Sequence, residues 1–248
     1  MCSFSAVKLQ NSRNQTENPI RNIPNMTVAM KSSKPATEPA TEPATHRQLV
    51  LTPDRLRLAE RHLSRADHVM AKLVRTIGNC RLDARKTRPF HALTSAIISQ
   101  QLSAKAAATI AGRVAQLASR PFAPEAMLAV KPDALRAAGL STAKTRYIHE
   151  LARRVAEGRL DFRGLRKLHD EAVIAALTEV PGIGRWTAEM FLIFTLRRPD
   201  VLSLGDAGLA RSVRLLYGET AEMQRVAERW RPYRSVACWY LWRHLDSN

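Results

Sequence analysis

Glycine is scarce in this 248-residue chain: there are ten, none before Gly78, and four of them stand at 182, 184, 205 and 208. In Val180-Pro181-Gly182-Ile183-Gly184-Arg185-Trp186-Thr187-Ala188, a proline and two glycines separate two helical patterns. Such a turn needs φ > 0 and brings bare main chain close to a partner. The helix that follows points its free N–H groups and positive dipole end out of the turn, a phosphate site that needs no side-chain charge, which Arg185 would reinforce. The plain alternative is a helix-to-helix turn that merely packs. Further on, Gly205-Asp206-Ala207-Gly208-Leu209 sets one carboxylate between glycines at a helix start. On its own Asp206 reads as an N-cap. The same placement suits a group that stabilises developing positive charge or orients a water.

The elements that must position these residues read as helices. From Thr52 onward apolar residues return at three and four, with no sustained period-2 alternation. Thr52 caps a first helix with Pro53 in its first turn, and Leu56, Ala59, Leu63, Ala66, Met70 and Leu73 mark one face until Gly78 stops the run. A second follows Pro89 with Phe90, Leu93, Ile97 and Leu102 inward. Others fit Ala104 to Leu117, Pro124 to Val130, Pro132 to Ala138, Ala143 to Ala156, Asp170 to Thr178, Arg185 to Leu196, Ala207 to Tyr217 and Pro232 to Leu245. Short breaks carrying Pro or Gly separate them. The expectation is an all-α fold over 49–248, a multi-helix bundle in two closely joined lobes.

The first 48 residues differ in kind. They hold five of the thirteen prolines and the repeat PATEPATEPAT at 35–45, a disordered linker by composition rather than a fold. A transit peptide is an alternative there, since the first 30 residues carry Lys8, Arg13 and Arg21 against Glu17 alone. The tail has six basic and three acidic side chains, so the remaining 200 residues keep +14 of the chain's +17. A surplus of that size in the folded part points to a polyanion, with nucleic acid first. Arg or Lys interrupts every hydrophobic run, which excludes a membrane-spanning helix. Three cysteines are too few and too far apart for a disulfide framework, so a reducing, cytoplasmic setting is expected, at the nucleoid in a bacterium. The seven histidines, His62, His68, His91 and His149 among them, show no zinc-site spacing, and no metal site is expected.

The hairpin motif at 180–188 and Gly-Asp-Ala-Gly-Leu at 205–209 together resemble the helix-hairpin-helix (HhH-GPD) DNA glycosylase superfamily. FHALTSAIISQQLS at 90–103 is similar to the family segment entering the helix beside the damaged base. Ala138-Gly139-Leu140-Ser141-Thr142-Ala143-Lys144 resembles its Gly-Leu-Ser-x-x-Lys turn, and Trp230-Arg231-Pro232-Tyr233-Arg234-Ser235 through Trp242 its last helix. The likeness spans roughly residues 55 to 245 and points to the DNA-3-methyladenine glycosylase II branch, in the short form without an N-terminal β domain. It implies Asp206 as the catalytic carboxylate and Trp186 and Trp242 as the walls of the base pocket. Gly182, Ile183, Gly184 and Arg185 would contact damaged double-stranded DNA, and Gln101 or Leu102 would fill the gap left by the flipped nucleotide. Trp230, Trp239, Tyr233 and Tyr240 are expected to pack.

Departures narrow the reading. Strand-cutting relatives carry a Lys nucleophile where this chain has Trp186, which cannot attack a sugar. Cys238 alone near the C-terminus does not make an iron–sulfur cluster. Relatives can hold a monovalent cation on hairpin carbonyls; no other cofactor is expected, and the protein should act as a monomer. Ser203-Leu204 replaces the Pro-aliphatic pair usual ahead of the aspartate. Three readings remain open beside alkylpurine excision: a glycosylase for another damaged base, a non-catalytic helix-hairpin-helix DNA binder, and a basic helical protein that binds RNA or acidic partners.

Overall fold

Thr52 and Pro53 open the first helix as their types predict, with the Thr52 hydroxyl accepting the Arg55 N–H. In the computed structural model, which describes residues 50–83, 87–118 and 122–247, thirteen α-helices follow one another and no strand occurs among the described residues. The tail expected over 1–48 lies outside them. The helices are α1 (Pro53–Ala66), α2 (His68–Ile77), α3 (Pro89–Ser99), α4 (Ala104–Leu117), α5 (Pro124–Leu128), α6 (Pro132–Ala137) and α7 (Thr142–Ala156). After them come α8 (Phe162–Leu165), α9 (Asp170–Thr178), α10 (Arg185–Met190), α11 (Ala207–Tyr217), α12 (Met223–Ala227) and α13 (Arg234–Asp246).

Two lobes emerge from which helices touch. Helices α3 to α7 pack on one another, and α9 packs on α10, in a central lobe. The two ends of the described chain meet in the other, where α1 and α2 pack against α13, and α13 against α11. Apolar faces explain this arrangement: Leu56, Ala59 and Leu63 of α1, Met70 and Leu73 of α2, and Val236, Ala237 and Leu241 of α13 are all buried. Each buried Leu, Met or Val side chain among them contributes about 1.5–3 kcal/mol relative to exposure. Between the lobes runs the sequence FLIFTL at 191–196. It is apolar nearly all round and buried at five of its six residues, as an element covered on every side must be.

Three expectations are corrected. The run from Pro53 to Gly78 is two helices, because Asp67 leaves the helical conformation at φ −151° and ψ 118° and caps α2 with its own side chain. The helix from Arg185 is α-helical only to Met190 and continues as a π-helical turn over Phe191–Leu196, ending at Arg197 in the left-handed region. Leu102 is not on α3. That helix stops at Ser99, and Leu102 sits half-buried in the loop before α4. Smaller differences occur at ends: α13 starts at Arg234 rather than Pro232, its first N–H donated to the Asp200 carboxylate.

Asp67 also ties the terminal lobe together. One carboxylate oxygen accepts the N–H groups of Val69 and Met70 at 2.8 and 3.2 Å. The other accepts the Tyr217 hydroxyl at 2.9 Å and the Trp230 indole at 3.0 Å. Burial and the adjacent carboxylate push the Tyr217 phenol well above its usual range, so it stays a donor. Loss of the cap and the orphaning of the buried Trp230 indole and the half-buried Tyr217 hydroxyl should make Asp67→Ala cost about 3 kcal/mol. A urea melt checks this; a midpoint near wild type would refute the linking role.

Candidate active site

Asp206 lies where the two lobes meet, at the end of a segment fixed from several sides. Residue 200 is gripped by α13, with the Arg234 guanidinium donating to both Asp200 oxygens at 2.8 and 3.0 Å. The next residue, Val201, donates its N–H to Ser235 Oγ at 2.9 Å. The Asp206 N–H closes a turn on the Ser203 carbonyl at 3.1 Å, and α11 begins.

Asp206 is the N-cap that its position implies: Oδ1 accepts the Leu209 N–H at 2.8 Å. It is more than a cap. Oδ1 also accepts the Trp242 indole N–H at 3.2 Å, and Oδ2 accepts that of Trp186 at 2.7 Å. The candidate carboxylate and both candidate pocket tryptophans, 20 and 36 residues apart from it in sequence, are thus in direct contact. The cap is 8% exposed while Trp186 is 45% exposed, so an indole face is open to solvent beside a mostly buried carboxylate. Trp242 packs on Phe194 with ring centroids 5.7 Å apart. A Cβ at Gly208 would come within 3.1 Å of Asp206 Oδ1 and 3.7 Å of Trp242, which explains the second glycine of the motif. Trp230 and Tyr240 are fully buried, and Trp239 and Tyr233 pack against the core, as expected of structural aromatics.

The hairpin residues separate by role. Gly182 has φ +85°, and a Cβ there would lie 2.3 Å from the Tyr147 ring, so glycine is required on both counts. Gly184 has φ −92°, and its Cβ would meet nothing within 4 Å. The positive φ expected of this turn therefore belongs to Gly182 alone. Ile183 is buried in the core, which leaves only its main chain for a partner. Arg185, expected to reinforce the phosphate site, is half-exposed and engaged by neighbouring carboxylates. Its guanidinium pairs with Glu171 at 2.5 and 3.0 Å and with Glu189 at 3.0 Å, so a phosphate at this position would compete with an exposed ion pair to Glu171.

The loop after α3 is joined to the hairpin. Gln100 donates its amide N–H to the Gly182 carbonyl at 2.7 Å, and Lys144 donates to the carbonyls of Ile98 and Gln100 at 2.8 and 2.6 Å. Burial lowers the pKa of Lys144. Gln101, the next residue, is exposed with φ +58°. The roles of Gln100 and Lys144 escaped sequence reasoning, although both lie in motifs it singled out. The carbonyls of Val180, Gly182 and Gly184 each already accept one hydrogen bond, so a monovalent cation at the hairpin would use their second lone pairs. Among the described residues no group of three His, Cys, Asp or Glu side chains is arranged to hold a metal ion, and no helix is long and apolar enough to cross a membrane.

Residues 94–234 match the HhH-GPD superfamily of base excision DNA repair proteins. The chain belongs to this superfamily. Its family within it is that of the DNA-3-methyladenine glycosylases. The DNA-3-methyladenine glycosylase 1 of Schizosaccharomyces pombe is 33% identical over 195 residues, covering 75% of this chain and 86% of that protein. The crystal structure of a Bacillus halodurans DNA-3-methyladenine glycosidase superposes with a TM-score of 0.67 at 41% identity, over 74% of this chain and 88% of that one. A Schizosaccharomyces pombe 3-methyladenine DNA glycosylase, solved in complex with abasic DNA, gives 0.67 at 32% identity, over 76% and 97%.

The two hairpin glycines allow a clean experiment with DNA. Gly182→Ala forces strain and a clash, and should lower stability by more than about 1 kcal/mol. Gly184→Ala should leave stability within about 0.5 kcal/mol while weakening duplex affinity roughly tenfold, because the added methyl faces only what approaches from outside. Thermal melts and a fluorescence anisotropy titration read the two effects. Wild-type affinity in a well-folded Gly184→Ala protein would take the hairpin out of the DNA interface.

Proposed function

We propose that this protein is a monofunctional DNA glycosylase that extrudes an alkylated purine of the 3-methyladenine or 7-methylguanine type from duplex DNA and hydrolyses its glycosidic bond, leaving an abasic site. The convergence of Trp186 and Trp242 on Asp206 carries this reading. A base inside a duplex is out of reach of any carboxylate, and extrusion costs a few kcal/mol, least where alkylation has already weakened pairing. Gln101 or Leu102, from the loop that Lys144 and Gln100 hold in place, fills the vacated space.

Alkylation leaves these purines positively charged. An exposed indole face attracts such a ring more than a normal base, by about 0.5–2 kcal/mol, and Trp186 offers that face. A cationic base is already a good leaving group, so no strong acid is needed at the ring. Asp206, with its two oxygens fixed by three N–H donors, stabilises the oxocarbenium-like sugar and orients the attacking water. Trp186 occupies the place of a Schiff-base lysine, so the product is free base and an unbroken strand.

The test is release of free base from a methylated duplex under single-turnover conditions, followed by hot alkali. Wild type should release base, with strand breaks appearing only after alkali. Asp206→Asn should be slower by at least about a hundredfold, the scale of losing one positioned electrostatic or proton-transfer group. Excision at the wild-type rate by Asp206→Asn would overturn the assignment of that residue. Retardation of the duplex without any base release by wild type would leave a binding protein.

A further inference from the structure

A second buried carboxylate lies next to this site and has no part in the proposed chemistry. Glu189, on α10, is 5% exposed. Burying a carboxylate is costly unless both oxygens find donors, and here both do. Oε1 accepts the Arg185 Nε–H at 3.0 Å, and Oε2 accepts the Ser203 hydroxyl at 2.5 Å. Ser203 is itself fully buried, and its carbonyl is the acceptor for the Asp206 N–H. Between Ser203 and Asp206 little grips the turn: Leu204 is 51% exposed, and a Cβ at Gly205 would meet nothing within 4 Å. The turn is therefore held at its ends. At one end the Leu209 N–H and the two indoles hold Asp206 by its side chain; at the other Glu189 holds Ser203. The anchors contributed by α13 reach Asp200, Val201 and, through the Cys238 sulfur, the Ser203 main chain, which leaves the Ser203 side chain to Glu189.

We propose that Glu189 is a positioning residue for Asp206, acting through the Ser203 hydroxyl to fix the turn that presents the carboxylate to the sugar. It touches neither base nor sugar. Ser203 supplies the hydroxyl that makes the connection. The same carboxylate binds Arg185, the first residue of α10 after the hairpin, so Glu189 joins the hairpin to the turn before α11. Without this anchor Asp206 keeps its chemistry but loses its register with the sugar, and a misplacement of 1 Å can slow a reaction by as much as about a hundredfold.

This inference rests on the glycosylase reading, and its test separates the two. Ser203→Ala removes the hydroxyl alone, Glu189→Gln removes the charge, and the double variant asks whether they act along one path. Three quantities are read: the single-turnover excision rate at saturating protein, the affinity for undamaged duplex, and the Trp186 and Trp242 indole N–H resonances in a ¹⁵N–¹H correlation spectrum. Each single variant should excise about tenfold more slowly, with the double no slower than the slower single. Ser203→Ala should keep duplex affinity within about twofold, since it leaves the hairpin and Arg185 in place. Both variants should move the indole resonances, because those N–H groups report where Asp206 sits.

Indole resonances at wild-type positions in the folded variants would overturn the proposal, as would rate losses that multiply in the double variant. If wild type releases no base, the glycosylase reading fails, and the indole resonances alone still decide whether Glu189 and Ser203 place Asp206. If Glu189→Gln does not fold, Ser203→Ala decides on both readouts.

Discussion

Two indole N–H groups from opposite lobes donate to one carboxylate. Trp186 comes from the start of α10 and Trp242 from α13, and Asp206 accepts both while capping α11. The arrangement demands that three helix segments far apart in sequence agree on one point to within hydrogen-bond tolerance. A mostly buried acceptor left without donors would be costly, so the contact constrains how the lobes close as well as what the site can do. The anchoring of residues 200–203 on α13, the buried FLIFTL turn that carries Phe194 to Trp242, and the missing side chain at Gly208 all serve that agreement.

A second set of contacts makes the surface around the site continuous. The hairpin, the loop after α3 and the start of α7 are linked by Gln100 to the Gly182 carbonyl and by Lys144 to the end of α3. Lys144 places a cation where α3 leaves unpaired carbonyls, a position that the helix dipole favours. A loop held in this way keeps Gln101 exposed in a left-handed conformation that non-glycine residues seldom adopt.

The charge that dominates the sequence acts unevenly in the structure. Arg185, Arg198 and Arg234 are engaged by carboxylates or carbonyls of the protein itself. Basic composition therefore identifies the class of partner better than it identifies the contacting residues, since an arginine's neighbours decide whether its fork is free. At the hairpin the main chain, with an open position at Gly184, remains the feature suited to a phosphate.

Much of the fold was legible in the sequence because helical periodicity, Pro at first turns and Gly at stops are local signals. The starts and ends of α4, α9 and α11 coincide with the pattern read from spacing alone. At one place where the local pattern misled, a tertiary contact accompanies the departure. The apolar face from Pro53 to Gly78 hid a break at Asp67, whose carboxylate caps α2 with one oxygen and accepts from Tyr217 and Trp230, far along the chain, with the other. The motif at Asp206 and the tryptophans at 186 and 242 could be named from residue types and family likeness. Their meeting at one carboxylate, the capture of Arg185 by Glu171 and Glu189, and the grip of Glu189 on Ser203 belong to the folded chain. Hydrogen bonds between distant residues depend on how helices pack, and no spacing along a single strand of sequence encodes the distance between two lobes.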